Sequence, residues 1–122
     1  MDSLKFAEDI TQIILSKKGF EIRIFDLKKL SAFADYFVIC SASSDTQVKA
    51  IADAVDKELR DRGIKTYHKE GYEALNWVLL DYFDVVVHIF KSEARAFYNL
   101  EKLWGDADII EIEDDLEKRG DS

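Results

Sequence analysis

The residues of this sequence that could act as acids, bases or metal ligands do not form a catalytic pattern. Two-metal phosphoryl chemistry needs carboxylates that converge on one point, typically from alternate positions of one strand. The only Asp-x-Asp spacing joins Asp106 to Asp108, within an acidic run near the end of the sequence. Asp81 and Asp84 flank a predicted turn that does not fix their directions. We therefore expect no catalytic carboxylate pair, and we predict that the chain is not an enzyme.

The two histidines and a serine-rich loop are also explained better by structure than by chemistry. His88 lies within the apolar run 85–90 and His68 lies near Glu70, without further ligands at zinc-binding spacing. A hydrogen-bonded histidine within a sheet is the favoured interpretation. The loop 41–45 precedes a predicted helix, which makes it a generic anion site, but it lacks the glycines of a phosphate-binding loop. We expect no metal and no cofactor.

Composition and charge define the class of the protein and the partners it favours. The 122 residues include 25 acidic and 17 basic ones, for a formal net charge of −8. An acidic field repels nucleic-acid backbones and steers a protein toward basic surfaces. No apolar run reaches the ~18 residues that span a membrane, and Cys40 is the single cysteine. We expect a cytoplasmic protein with one buried thiol, without membrane contact and without direct, sequence-specific nucleic-acid contact.

Apolar spacing predicts an α/β domain of the mixed α+β kind, with about five strands in one mixed sheet and about three helices packed on it. Ser44 and Gln47 have the spacing of a capping box at the start of the second helix. We expect one domain over residues 1–112, with Ile109, Ile110 and Ile112 along its surface, and a frayed acidic tail over 113–122. The predicted helices span 3–18, 44–62 and 92–104, and the predicted strands span 21–27, 35–41, 64–68, 77–81 and 84–90.

Large aromatic residues near predicted exposed edges, with carboxylates beside them, indicate a protein-binding surface. Aromatic anchors with an acidic rim suit a basic protein partner. Burial of both tryptophans in the core is an alternative that the sequence leaves open. The residues that form this pattern are Trp77, Tyr82, Tyr98 and Trp104, beside Glu70, Asp81, Asp84 and Glu101.

Six motifs occur in this sequence in a fixed order and cover roughly residues 5–107. They are DYFVICS (35–41), SDxQV (44–48), EGYE (70–73), WVLLDY (77–82), DVVVHIF (84–90) and ARxFYxLExLW (94–104). Their combination resembles the Iojap-type ribosomal silencing factors (RsfS), and it is far more specific than any single motif.

The resemblance implies a nucleotidyltransferase-like fold that has lost its catalytic carboxylates, and the apolar strands of this sequence agree with that. It also implies that the chain binds the large ribosomal subunit through its fourteenth protein and sterically blocks joining of the small subunit, which represses translation. The implied contact surface is the hairpin around Trp77 and the last helix around Tyr98. Its residues are Glu70, Trp77, Leu79, Asp81, Tyr82, Phe83, Asp84, Tyr98 and Glu101.

Phe83 departs from the family pattern, because many relatives have glycine in the hairpin turn. Since a tight primed turn requires a positive φ that suits glycine, we expect a wider loop with Phe83 exposed as an extra contact. Two other functions are considered: a degenerate or active nucleotidyltransferase-like enzyme, and an acidic binding module with a non-ribosomal partner. Aromatic patches that await a partner also allow a homodimer.

Overall fold

The computed structural model describes residues 2–112, and the tail predicted at 113–122 lies outside this range. The mixed α+β class is confirmed. The helices are Ser3–Ser16 (α1), Asp45–Asp61 (α2), Ser92–Tyr98 (α3) and the short Leu100–Leu103 (α4). The strands are Phe20–Asp26 (β1), Tyr36–Ala42 (β2), His68–Glu70 (β3), Trp77–Asp81 (β4), Val85–Lys91 (β5) and Asp108–Ile112 (β6).

Within residues 2–112, six strands form one sheet in the order β3-β4-β5-β2-β1-β6. The two central strands, β2 and β5, are parallel, and all other neighbours are antiparallel. His88 on β5 lies opposite Leu79 on β4 and opposite Ile39 on β2. The near-continuous apolar run of β5 is therefore explained, because this strand has a neighbour on each side and is mostly buried.

Helices α1 and α2 pack on one face of the sheet, which we name the helix face. Their apolar residues recur every three or four positions and so form one stripe on each helix. Phe6 and Ile10 of α1 and Val48 and Ile51 of α2 are buried in the main core, together with alternate strand residues. Cys40 belongs to the same core, and burial raises the pKa of its thiol to about 12. The predicted buried thiol is confirmed.

The start of α2 is tied to the end of α1. Ser44 Oγ accepts a hydrogen bond from the Gln47 amide at 3.1 Å, as the capping pattern predicts. The Gln47 side chain does not return to the Ser44 amide, however. Its Oε1 accepts from the Ser43 amide at 2.6 Å, and its Nε2 donates to the Lys18 carbonyl at 2.9 Å. The capping box is therefore half formed, and Gln47 instead links the two helices.

The second face of the sheet, which we name the open face, is covered only in part. Phe25, Ile39 and Phe90 form a small buried cluster there, with Ala94 of α3 and Trp104 packed against it. Because α3 has seven residues and α4 has four, they shield less of the sheet than α1 and α2 shield on the helix face. The rest of the open face carries the candidate site.

Two predicted elements are wrong in detail, and one strand was not predicted. The strand expected at 64–68 forms at His68–Glu70, where the chain reaches the register opposite β4. The single last helix is divided at Asn99, whose φ of +47° is a left-handed conformation that asparagine tolerates. The segment expected along the surface is exposed there, at 43% for both Ile109 and Ile110, but it also forms a sixth strand, β6. This strand pairs with β1 and is joined to it by an ion pair of Arg23 with Glu111 at 3.1 Å.

Candidate functional site

A groove of about 400 Å³ runs across the open face, and we name it the open-face groove. Its floor comes from alternate residues of three neighbouring strands, because side chains two positions apart share a face. Its walls come from the connector between β1 and β2, from the β4–β5 turn and from Trp104, which follows α4. The lining residues are Ser31, Phe33, Ala34, Phe37, Leu79, Asp81, Phe83, Val86, His88 and Trp104.

Exposed aromatic rings stand at two sides of the groove. Phe33 is 91% exposed and Phe83 is 58% exposed. The Phe83 ring packs against the ring of Tyr67, with 4.1 Å between centroids. Single exposed apolar residues are ordinary, but a contiguous apolar surface beside a groove marks a binding site for another molecule. The open-face groove is therefore the candidate functional site.

The turn that carries Phe83 is tighter than we expected. The Tyr82 amide donates to the Val85 carbonyl at 2.9 Å, and the Asp84 amide donates to the Tyr82 carbonyl at 3.0 Å, so only Phe83 and Asp84 lie between the paired residues. Phe83 has a φ of +72°, a conformation that is unusual for a bulky residue. The expectation of a wider loop is wrong, whereas the expected exposure of Phe83 is confirmed.

Trp77 lies beside the groove and is neither fully buried nor free. Its ring stacks on Phe90 with 5.0 Å between centroids and contacts Tyr98 at 4.8 Å. Its indole Nε1–H donates to Nδ1 of His88 at 3.0 Å. The sequence left open whether Trp77 is a core or a surface residue. In the structure the ring is half-buried, and its indole N–H is hydrogen-bonded within the protein.

His88 confirms the prediction of a hydrogen-bonded histidine within the sheet. Burial lowers the pKa of its imidazole to about 3, so the ring is neutral at physiological pH. The ring of Phe37 lies 4.5 Å away, between centroids. Nδ1 accepts the hydrogen bond of Trp77, whereas Nε2 is buried and has no hydrogen-bond partner among residues 2–112.

Three of the predicted acidic contact residues can face a partner. Asp81 lines the groove, and its Oδ1 accepts from the Phe83 amide at 2.8 Å. The adjacent Asp84 is exposed. Glu70 is exposed on the edge strand β3, where its Oε1 lies 2.9 Å from Nε2 of His68. These three carboxylates lie at the end of the sheet formed by β3, β4 and the β4–β5 turn.

Glu101 was predicted as a contact residue, but it is engaged within the fold. Its carboxylate accepts from Nε of Arg95 at 2.8 Å and also pairs with Arg23. The hydrogen bond from Arg95, with the charges of Arg95 and Arg23, lowers the pKa of Glu101. Arg95 is buried and also donates to Ser41 Oγ at 2.9 Å. Glu101 therefore anchors α4 to the sheet.

Tyr82 was also placed on the contact surface by the sequence, and the structure shows it buried on the helix face. It is 8% exposed, and its ring meets Phe6 edge-on at 5.6 Å between centroids. Strand alternation explains the error. Trp77, Leu79 and Asp81 point to the open face, so Tyr82 continues the series of Val78 and Leu80 toward the core.

The predicted site residues thus divide into four groups. Leu79, Asp81 and Phe83 lie together in the groove, and Trp77 and Tyr98 form a stack beside it. Asp84 and Glu70 are exposed nearby, whereas Tyr82 and Glu101 serve the fold. Sequence reasoning missed Phe33, Phe37, Tyr67, Val86 and His88 as parts of the candidate surface. Of these, Phe37, Val86 and His88 could have been found, because strand alternation places them on the same face of the sheet as the predicted groove residues.

The described residues also bear on the alternative of catalysis. Among residues 2–112, no three or more His, Cys, Asp or Glu side chains are grouped so as to hold a metal ion. Asp106 and Asp108 line a small surface pocket with Asp26, Lys28 and Lys29, so two lysines share that pocket with the carboxylates.

Among residues 2–112, no helix combines the length and the apolar character needed to cross a bilayer.

The sheet carries helices α1 and α2 on one face and an aromatic groove on the other, which defines a class of small α+β domains. A family model described as "Ribosomal silencing factor during starvation" matches residues 1–122, and the chain belongs to this family of ribosomal silencing factors. The resemblance inferred from the motifs is confirmed.

Individual relatives agree with this assignment. The chain is 47% identical over 97 residues to "Ribosomal silencing factor RsfS" of Halalkalibacterium halodurans, which covers 80% of this chain and 83% of the relative. It is 35% identical over 121 residues to "Protein Iojap, chloroplastic" of Zea mays, which covers 97% of this chain and 51% of that protein. A crystal structure of a Chromobacterium violaceum protein matches with a TM-score of 0.83 at 32% identity, over 86% of this chain and 88% of the other.

Proposed function

We propose that this chain docks its open face on the fourteenth protein of the large ribosomal subunit and thereby keeps the small subunit from joining, which represses translation. Membership of the silencing-factor family supports a ribosomal role. The observation that carries the docking surface is the open-face groove, which combines apolar walls with the carboxylate of Asp81.

The groove has the composition that a stable protein interface requires. Large aromatic side chains contribute most binding energy when they enter a desolvated centre, and polar residues form the rim around them. Phe33 and Phe83 are the exposed anchors. A stable complex buries on the order of 1,600 Å² in total, which is more than the groove alone offers, so we include the Trp77–Tyr98 stack and the edge strand β3 in the docking surface.

Charge selects the kind of partner. The net charge of −8 attracts a basic protein and speeds its encounter with the acidic rim. Asp81, Asp84 and Glu70 are the rim carboxylates on the groove side of the sheet. A basic ribosomal protein meets this requirement, whereas an acidic partner would be repelled.

The mechanism is steric and needs no reaction. When the open face is docked, α1 and α2 on the opposite face of the sheet point away from the large subunit. These two helices, of 14 and 17 residues, then occupy the space that the small subunit must enter. Exclusion depends on the bulk of the helix face, while affinity depends on the open face.

The test uses one variant on each face. Phe33→Ala removes a ring that is 91% exposed and should leave the fold intact, and Ile110→Ala truncates a 43% exposed side chain on β6 as the matched control. We expect Phe33→Ala to reduce co-sedimentation with purified large subunits and to restore subunit joining, while Ile110→Ala behaves as the unmodified chain. Equal binding by all three proteins would contradict docking through the groove.

The same experiment separates the other uses of this surface. If the chain stays at the top of a sucrose gradient when large subunits are present, it does not co-sediment with them, and a non-ribosomal partner is indicated. A homodimer through the groove would compete with docking. In that case Phe33→Ala would lower the molar mass measured by light scattering, and wild-type binding to subunits would weaken as the chain concentration rises.

A further inference from the structure

We propose that His88 supplies a hydrogen-bond donor to the docked partner: the Nε2–H of its neutral imidazole meets an oxygen acceptor, a peptide carbonyl or a side-chain amide or hydroxyl, on the segment that fills the open-face groove. This inference rests on the proposed docking function and adds to it the chemistry that the partner must present at the groove floor.

The contact with Trp77 decides which nitrogen of His88 carries the proton. An indole N–H can only donate, and it lies 3.0 Å from Nδ1 of His88. Nδ1 must therefore be the unprotonated acceptor. Because the imidazole is neutral, its proton is on Nε2, which makes that nitrogen a donor. Trp77 thus fixes the tautomer of His88, and His88 in turn fixes the orientation of the Trp77 ring.

The donor on Nε2 has no acceptor within the described part of the chain. The side chain of His88 is 3% exposed, and Nε2 itself is buried. Buried polar groups almost always have a hydrogen-bond partner, and each exception requires an explanation. Here the imidazole lines the open-face groove, where a second molecule can supply the missing acceptor.

The groove itself does not provide this acceptor. Apart from Ser31 and Asp81, the side chains that share the lining with His88 are apolar or aromatic. Asp81 uses Oδ1 to hold the Phe83 amide. The ring nearest to the imidazole is that of Phe37, which is half-buried. Because Nε2 is buried, the partner can reach it only if a neighbouring side chain changes rotamer on docking, which is a common response at interfaces.

The nature of the donor restricts what the partner can place there. Lysine and arginine side chains carry donors only, so the basic groups that meet Asp81 and Asp84 cannot satisfy His88. An oxygen atom must reach the groove floor, while basic groups meet the rim. The contact at the floor joins two neutral groups, so it should persist at salt concentrations that screen the rim charges.

Nuclear magnetic resonance of the histidine side chains tests this directly. In the free protein, long-range ¹H–¹⁵N correlation should show His88 as the Nε2–H tautomer. On addition of the isolated fourteenth protein of the large subunit, the Nε2–H proton should move downfield. If resonances around the groove shift but the Nε2–H resonance does not, docking stands and the role of His88 is overturned. If no resonance of the chain shifts, the proposed docking itself fails.

A substitution gives a second, independent measurement. His88→Asn retains an acceptor near the position of Nδ1 but has no donor near Nε2. We expect His88→Asn to weaken co-sedimentation with large subunits about tenfold while the Trp77 indole N–H resonance stays near its wild-type position. Wild-type binding by a folded His88→Asn protein would overturn the inference.

Discussion

The ring of Phe83 lies 4.1 Å from the ring of Tyr67, between centroids, while the backbone of Phe83 holds a φ of +72°. A bulky residue in the left-handed region costs roughly 1–2 kcal/mol relative to glycine. The chain therefore keeps an unfavourable backbone conformation at the β4–β5 turn, which borders the groove. The aromatic pair places an apolar surface beside Asp81 and Asp84, where the proposed partner would dock.

Replacement of Phe83 separates backbone strain from binding. Phe83→Gly relieves the positive φ and should raise the free energy of unfolding relative to Phe83→Ala by about 1 kcal/mol. Both variants lose the ring and should bind large subunits equally weakly. Urea denaturation and co-sedimentation check the two effects. A glycine variant less stable than the alanine variant would show that φ is not strained.

Trp77→Ala should affect the fold as well as binding. The ring packs on Phe90 and Tyr98 and donates to His88, so its removal leaves a cavity and an unpaired Nδ1. Because the site is half-buried, we expect a loss of about 2–3 kcal/mol in the free energy of unfolding, below or at the low end of the ~3–5 kcal/mol range for buried aromatic truncations. Thermal unfolding followed by circular dichroism measures the loss. A variant with unchanged stability would place Trp77 outside the packed structure.

The ion pair of Glu101 with Arg95 should appear in the pH dependence of stability. The pKa of Glu101 is lowered in the fold, so its contribution is present above the pKa of the unfolded chain, about 4.3, and is lost as pH falls through the folded pKa. Glu101→Gln should therefore cost about 1.5–3 kcal/mol near neutrality and progressively less in acid. Urea titrations over this pH range test it.

The control for this series is Glu73→Gln, since Glu73 is exposed. Its stability should follow that of the unmodified chain at every pH. A constant difference between Glu101→Gln and the unmodified chain across the acid range would mean that the carboxylate has the same pKa in the folded and unfolded states.

Two truncations test the domain boundary and β6. A chain that ends after Ile112 should keep the stability of the whole protein, because the predicted domain ends there. A chain that ends after Gly105 loses β6 and the ion pair of Glu111 with Arg23. It also exposes the edge of β1, a template for association with other chains. We expect lower stability and concentration-dependent aggregation, measured by denaturation and light scattering. Equal behaviour of both truncations would remove β6 from the stable domain.

Salt should slow association with the large subunit. Exposed charges attract a basic surface over a distance of about 10 Å at 0.1 M salt, and this range shortens as salt rises. We expect the association rate constant to fall with ionic strength and the dissociation rate constant to change little. Stopped-flow measurements with Asp84→Asn should show a weaker salt dependence. An association rate that is independent of salt would contradict an acidic rim.

The elements with regular apolar spacing were predictable from sequence. Helices α1 and α2 follow a periodic apolar pattern, and the central strands β2 and β5 are near-continuous apolar runs. Both signals survive in the fold, because each helix buries one stripe and each of these strands is mostly buried. β6 was missed because its acidic composition resembles a surface segment. Its pairing depends on β1, including Arg23, and such long-range partners are not visible in local patterns.

The candidate site was predictable only where it follows a strand. Leu79 and Asp81 share the alternation of Trp77, and the same rule would have sent Tyr82 to the core. Phe33 lies in a connector without periodicity, so the sequence offers no signal for its 91% exposure. The ion pairs of Glu101 within the fold were not predicted, because its partners, Arg95 and Arg23, come together only in three dimensions.

The parallel pairing of β2 with β5 has a consequence for synthesis of the protein. Tyr36 pairs with Val85, so the middle of the sheet cannot close until the chain has been made through β5, and non-local pairings of this kind form slowly. The groove also requires Trp104. The complete groove therefore forms late in synthesis, only after the chain has been made through Trp104.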